Sequence, residues 1–316
     1  MTHQWSIGAR VVVEAPATSA NLGPGFDSLG LALTLYDEVE VAVTGGGLSI
    51  EVDGEGAEVA DRGERHLIVR VLRRSFELAD ELAESDLGQP PGLALRCVNR
   101  IPHSRGLGSS SAATVAGILA ARHLHPAGRV LDDLVALRLA TEIEGHPDNV
   151  APCLSGGLTI AWTGKDGPSS VRLEPKNDQV IAFVPEQRLA TERARGLLPE
   201  TVPHADAAAN AGRAALLVAA LTEGLGDEIL MAATEDRLHQ DHRAPAMPES
   251  AELLARLRAA GVPAVISGAG PTVLGFTSAA RVDSMAPKVG NGWHIHPLNV
   301  APRGARVRRD GSSVRP

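Results

Sequence analysis

The run Arg105–Ser111, RGLGSSS, constrains this 316-residue chain more than any other stretch. It joins a segment with strand character, LALRCV at 93–98, to one with helix character that starts at Ser109, SSSAATVAGILAARH. In the second segment Ala112, Val115, Ala116, Leu119 and Ala120 recur at i, i+3, i+4, i+7 and i+8, the apolar stripe of an amphipathic helix. A glycine-rich turn that opens a helix gathers free backbone N–H groups, hydroxyls and the positive end of the helix dipole at one point. That is the construction of an anion site, with a plain serine-capped helix start as the alternative. The run lacks the lysine of a Walker A loop, and Ser111 stands where a dinucleotide fingerprint has its third glycine.

An anion would have to be held locally, because the chain as a whole repels it: 30 basic against 38 acidic residues leave a net charge of -8. With 3% aromatics there is neither a basic face nor a supply of stacking rings, which excludes broad nucleic-acid binding. No apolar run reaches the roughly 18 to 20 residues that span a bilayer, and MTHQWSIGAR has no signal-peptide core, so a cytoplasmic chain without a membrane partner is expected. Cys97 and Cys153 have no paired spacing and read as reduced core residues.

Strand patterns at 10–16, 29–43 and 48–52 precede a helical pattern over 65–83, the strand at 93–98, and helices from Ser109 and from Leu131 to Gly145. After a strand at 156–162, the small polar stretch TGKDGPSS marks a domain boundary. The second half is expected to hold strands at 179–185, 264–268, 272–276 and 293–300, with helices near 206–222, 226–239, 249–260 and 280–287. Interleaved elements without a repeat period indicate an α+β fold, divided into 1–166, 167–303 and a flexible basic tail, 304–316. The tail reads as a frayed terminus, with a nucleic-acid arm as the alternative.

Several residues could carry chemistry. Counting three residues on from Leu139 along the apolar face reaches Glu142, an inward carboxylate that needs a partner: a divalent metal beside phosphate oxygens, or Arg138. His146, Pro147, Asp148 and Asn149 open the next helix, where they suit first-turn capping or the binding and deprotonation of a polar substrate. Asn21 and Asp27 flank the bend Gly23-Pro24-Gly25, and Ser267–Thr272 is a run of small residues; each is a turn on its own merits and a ligand loop only in company. The pairs His239/His242 and His294/His296 lack a third ligand in sequence range, which argues against zinc.

Four of these stretches, PATSANLGPGFD at 16–27, RIPHSRGLGSSSAA at 100–113, EIEGHPDNVAP at 142–152 and SGAGPT at 267–272, in this order, resemble the GHMP small-molecule kinases, and among them the homoserine kinases. The resemblance implies an N-terminal ribosomal-protein-like α/β domain, a C-terminal ferredoxin-like domain, and ATP-dependent phosphorylation of the homoserine hydroxyl for threonine synthesis. It places Pro102, Ser104, Arg105, Gly106, Leu107, Gly108, Ser109, Ser110 and Ser111 around the triphosphate, and Mg²⁺ on Ser110 and Glu142. Asn21, Asp27, His146, Asn149, Arg195 and Arg243 become substrate residues, with Asp148, Asn149 and Thr191 catalytic. A zwitterionic amino acid suits that set, since arginine forks take a carboxylate while Asp27 and Asn21 take an ammonium. His66 stands where relatives have an asparagine near the adenine. A homodimer is a family expectation only. The competing readings are another GHMP kinase, of mevalonate or sugar type, and a non-catalytic ligand sensor.

Overall fold

The computed structural model describes residues 4–58, 60–176, 178–278, 289–290 and 292–308. Among them it forms two sheets with helices packed on them, an α+β architecture. β1 (Arg10–Ala20) and β2 (Leu29–Thr44) pair antiparallel along most of their length. β4 (Gly92–Asn99) pairs with the outer half of β2, and β3 (Gly47–Gly54) runs parallel to β4. β5 (Leu158–Gly164) pairs with the start of β2, and β6 (Gly167–Leu173) with β5. The second sheet has the order β10-β7-β9-β8, all antiparallel, from β7 (Gln179–Pro185), β8 (Ala264–Ile266), β9 (Val273–Gly275) and β10 (Trp293–Asn299).

The sequence pattern ends β1 at Pro16, but the strand continues to Ala20. Proline cannot donate to the ladder, and the pairing register shifts between Pro16 and Ala17, so the strand absorbs the proline as an irregularity. Two domain assignments also change. Residues 167–173, given to the second domain, are β6 and belong to the first sheet. Arg306–Arg308, given to the tail, form β11 on the edge of β1, where Arg306 and Arg308 pair with Glu14. Residues 309–316 and the helix expected at 280–287 lie outside the described residues.

α1 (Leu67–Ala83) and α2 (Ser109–Leu124) cover the first sheet. They approach closely because Gly117 faces Val71: a Cβ there would sit 2.8 Å from Val71 Cγ1. Phe76 is fully buried in this layer and meets Trp5 edge-on at 4.8 Å. α3 (Asp133–Glu144) begins on a cap in which Asp132 accepts from the Val135 N–H, and ends on left-handed Gly145; α4 (Val150–Ser155) follows. On the second sheet, Phe183, Met247, Leu253, Leu257 and Ile266 form a separate core under α9 (Pro248–Ala259). α5 (Thr191–Arg195) and α6 (His204–Glu223) precede the helix expected at 226–239, of which only the first half is helical, as α7 (Asp227–Ala233); α8 (Gln240–Arg243) starts just beyond it. The break follows from Asp236, whose carboxylate accepts from the N–H groups of Leu238, His239 and Gln240 and so starts a new helix. Among the described residues no helix is long and apolar enough to cross a membrane.

Phe76→Ala should lower the unfolding free energy by about 3–5 kcal/mol in urea melts, whereas the exposed Leu82 should tolerate the same truncation within about 0.5 kcal/mol.

Candidate functional site

The end of β1 is where the four loops meet. The Thr18 N–H donates to Leu107 O at 3.0 Å, and the Thr18 hydroxyl donates to Asn149 Oδ1 at 2.8 Å. Ser267 Oγ donates to Gly106 O at 2.6 Å and lies 2.8 Å from Ser19 Oγ. Gly268 N–H donates to Ala20 O at 3.0 Å, and the Asn21 amide donates to Gly268 O at 2.8 Å. Loops from both sheets are therefore tied to one strand end.

At the anion loop, Gly106 and Gly108 have φ of +77° and +69°, and a Cβ on Gly108 would lie 1.9 Å from Thr18 Oγ1. Among the described residues no side chain caps α2, so the serine-cap alternative is not the one realised. Ser110 and Ser111 point instead to a carboxylate, which is Glu144: Ser110 Oγ donates to its Oε1 at 2.8 Å, Ser111 Oγ to its Oε2 at 3.1 Å, and Thr114 Oγ1 to Oε1 at 2.9 Å. Glu142, expected to point inward, is exposed. The inward stripe of α3 runs through Ala136, Ala140 and Glu144 at i, i+4 and i+8, so a count of i+3 from Leu139 follows the wrong row. Among the described residues no cluster of three or more His, Cys, Asp or Glu could hold a metal. Ser110 and Glu144 form a hard oxygen pair, which fits a magnesium ion whose other oxygens come from phosphate and water.

The rest of the expected triphosphate loop divides by role. Arg105 donates to Pro185 O at 2.8 Å, Glu186 O at 2.9 Å and His103 O at 3.2 Å, pairs with the Glu55 carboxylate at 3.8 Å, and so straps the loop to β7. Pro102 and Leu107 are buried, and Ser104 O accepts from the Leu189 N–H. Beside Ser109 and Ser110 opens a cavity of about 270 Å³ lined also by Asp37, His66, Asn99 and His103. Burial keeps His66 below the ordinary imidazole range, and its buried Nδ1 has no hydrogen-bond partner among the described residues. Asp37 accepts from the N–H groups of Arg100 and Ile101, yet burial pushes its carboxyl up to about 6.

In the HPDN turn, His146 Nδ1 hydrogen-bonds the buried Asp148 carboxylate. That contact raises the imidazole above its ordinary range, against the opposing effect of burial. Asn149 is held by Thr18. Asn21, at φ +67°, accepts from the Asp27 N–H at 2.9 Å. Asp27 and Arg195, expected on opposite ends of a zwitterion, are paired with each other through two hydrogen bonds of 2.7 and 3.1 Å. Arg243 is 1% exposed and donates to Ala194 O at 3.2 Å, His239 Nδ1 at 3.1 Å and Gly268 O at 3.4 Å. Among the described residues it makes no ion pair. The ring of Phe26 lies under both guanidinium groups, 5.4 Å from Arg243 and 5.9 Å from Arg195. Thr191 opens α5, is exposed, and takes no part in these hydrogen bonds.

The chain matches the family models for the GHMP kinases N terminal domain over residues 66–157 and the GHMP kinases C terminal domain over 216–295. It is 58% identical over 301 residues to a homoserine kinase of Streptomyces avermitilis, covering 95% of this chain and 96% of that one. It is 48% identical to the homoserine kinase of Clavibacter michiganensis, covering 95% of each. The chain belongs to the homoserine kinase family. Its fold is that of the GHMP kinases: a crystal structure of homoserine kinase from Cytophaga hutchinsonii superimposes with a TM-score of 0.81 at 26% identity, over 96% of this chain and 98% of that one. Mevalonate diphosphate decarboxylase from Staphylococcus aureus, at 15% identity and a TM-score of 0.67 over 95% and 98%, shares the fold alone.

Sequence reasoning missed Glu144, His239 and Phe26. For Glu144 the signal was present, since it lies four residues beyond Ala140 on the buried stripe. His239 and Phe26 come close only through tertiary packing, with ring centroids 5.2 Å apart.

Two outcomes are expected. Glu144→Gln should cut turnover by at least about 100-fold while Glu142→Gln leaves it near normal, as read by steady-state ADP release. His146 should titrate above the ordinary imidazole range by NMR, and lower in Asp148→Asn. Because its folded-state value is raised, the pair stabilises the fold fully below the ordinary histidine pKa, and this contribution is lost as pH rises through the raised one.

Proposed function

We propose that this chain transfers the γ-phosphate of ATP to the side-chain hydroxyl of L-homoserine, giving O-phospho-L-homoserine for threonine synthesis. The observation that carries the reading is Arg243, a fully buried guanidinium whose described hydrogen bonds all go to neutral acceptors. A buried charge of that kind calls for an anion. A ligand carboxylate supplies it, and the neighbouring Asp27–Arg195 pair supplies the complement. On binding, the substrate ammonium takes Asp27 and its carboxylate takes Arg195 and Arg243, so one internal ion pair is exchanged for contacts with a zwitterion. Asn21 holds Asp27 in place for this exchange through the Asp27 N–H.

The nucleotide lies with its base in the cavity beside His66 and its phosphates on the start of α2, held by the Gly106–Ser111 backbone and serine hydroxyls. Ser110 and Glu144 would hold Mg²⁺, which when bound would neutralise phosphate charge. Transfer is mainly a matter of positioning. The homoserine oxygen forms a bond to the γ-phosphorus, the bond to the ADP oxygen breaks, and the hydroxyl proton passes to Asp148. Asn149 orients the hydroxyl from its fixed place beside Thr18, and Thr191 closes over the substrate from the start of α5. The unit built on the first sheet thus handles the nucleotide, while α5 and α8 of the second unit supply the two arginines. Two buried free cysteines accord with a reducing cytoplasm, and the chain is proposed to act there as a homodimer.

With MgATP the protein should release ADP on L-homoserine and not on L-serine, mevalonate or galactose, and Arg243→Ala should raise the KM for homoserine by at least about tenfold. Turnover on mevalonate or galactose instead would replace the substrate. Asp148→Ala should lower kcat by about 10²–10⁴-fold with homoserine affinity kept, measured by calorimetry; a change of only a few-fold would remove Asp148 as the base.

A further inference from the structure

One of the three neutral acceptors that hold Arg243 is a side chain able to change its charge. His239 Nδ1 lies 3.1 Å from Arg243 Nη1, and His239 Nε2 lies 2.8 Å from the carbonyl oxygen of Gly23. A guanidinium only donates and a carbonyl only accepts. The two contacts together therefore define one tautomer, with the proton on Nε2 and the lone pair of Nδ1 toward the arginine. A second proton would set N–H against N–H at Nδ1. The surroundings favour the neutral ring: His239 is fully buried, and burial lowers its pKa against the opposing effects of the Asp236 carboxylate and the Gly23 carbonyl. Asp236 is engaged by the N–H groups at the start of α8, and its Oδ2 lies 3.7 Å from His239 Nε2, on the side of the ring that carries the proton in this tautomer. The Phe26 ring packs on the imidazole at 5.2 Å.

We infer that His239 is the positioning residue of the substrate-carboxylate site: its neutral imidazole, oriented by the Nε2–H bond to the Gly23 carbonyl, aims Arg243 with the lone pair of Nδ1. The inference rests on the homoserine reading and extends it. A carboxylate at position 239 would hold Arg243 equally well in direction but would neutralise it, and the substrate carboxylate would then compete with an internal one. A neutral acceptor holds the fork and leaves its charge for the ligand. One ring thereby joins the two halves of the zwitterion site, the arginine on the second unit and the Asn21–Asp27 turn on the first.

The test compares two variants of the full-length enzyme. Asn at 239 places an amide oxygen near the position of Nδ1, whereas Gln reaches toward the position of Nε2. His239→Asn should keep the homoserine KM within about threefold, and His239→Gln should raise it at least about tenfold, with kcat and the KM for ATP little changed in either and the melting temperature lowered to a similar extent in both. In an Arg243→Ala background His239→Gln should add nothing further to the KM. Equal homoserine KM values in the two variants, an undiminished Gln effect without Arg243, or a loss confined to kcat and melting temperature would overturn the inference. Side-chain ¹⁵N shifts of wild-type protein give an answer independent of turnover. At pH 7 they should report a neutral ring protonated on Nε2, and a cationic ring or the other tautomer overturns the inference whatever the enzyme phosphorylates. A wild-type protein silent on homoserine but showing the Nε2–H tautomer would sink the functional reading and leave the His239–Arg243 geometry standing.

Discussion

The last residues of β1 carry hydrogen bonds to three other loops at once, and the site exists because they do. Thr18 reaches Leu107 with its backbone and Asn149 with its hydroxyl, Ser19 meets Ser267, and Ala20 and Asn21 hold Gly268. All of these residues but Asn149 are buried, so leaving one of their hydrogen bonds unmade costs about 1–3 kcal/mol. The glycines at 106 and 108 follow from that crowding, because a side chain at either would occupy the space of Ser267 O or Thr18 Oγ1. Position and conformation of the anion loop are thus set by a strand distant in sequence, and the helix dipole behind the loop is aimed as a result.

Charge is distributed over the site so that each half waits for a complementary partner. At the nucleotide end a carboxylate, Glu144, is held by three hydroxyls and faces no cation among its hydrogen-bond partners. At the other end a buried guanidinium, Arg243, is held by two carbonyls and a neutral imidazole. Between them the Asp27–Arg195 pair is internally satisfied and partly exposed, which makes it the element that a zwitterion can open at small cost. Specificity in such a site comes from the penalty of leaving one of these charges unpaired when the ligand lacks its counterpart.

Much of the fold was legible along the chain because it rests on periodicity. The apolar stripe after Ser109, the alternation in β2 and the stop at Gly145 all appear where the pattern places them. Two of the misreadings share a cause: a local rule met a tertiary partner. β1 runs through Pro16 because β2 continues beside it, and β6 forms because β5 offers an open edge. The helix expected over 226–239 breaks for a local reason, since the Asp236 carboxylate captures three N–H groups two to four residues on. Glu142 and Glu144 differ by two residues, about 200° around a helix, so a small error in choosing the stripe moves a carboxylate from one side to the other.

The sequence by itself determined the class of chemistry. The glycine-serine turn before a helix, the acidic residue near the end of the next, and the HPDN and NLGPGFD turns each left a cap or a plain turn open on their own, and it was their occurrence together, in the order the GHMP kinases have, that pointed to a kinase. Tertiary structure alone decided which carboxylate faces Ser110, that Asp27 closes on Arg195, and that His239 stands between Arg243 and Gly23, 216 residues away in the chain. Those outcomes depend on distances between elements, and distances are set by packing, where a rotation of one helix or the slip of one strand changes which groups meet while the local pattern of the sequence stays the same.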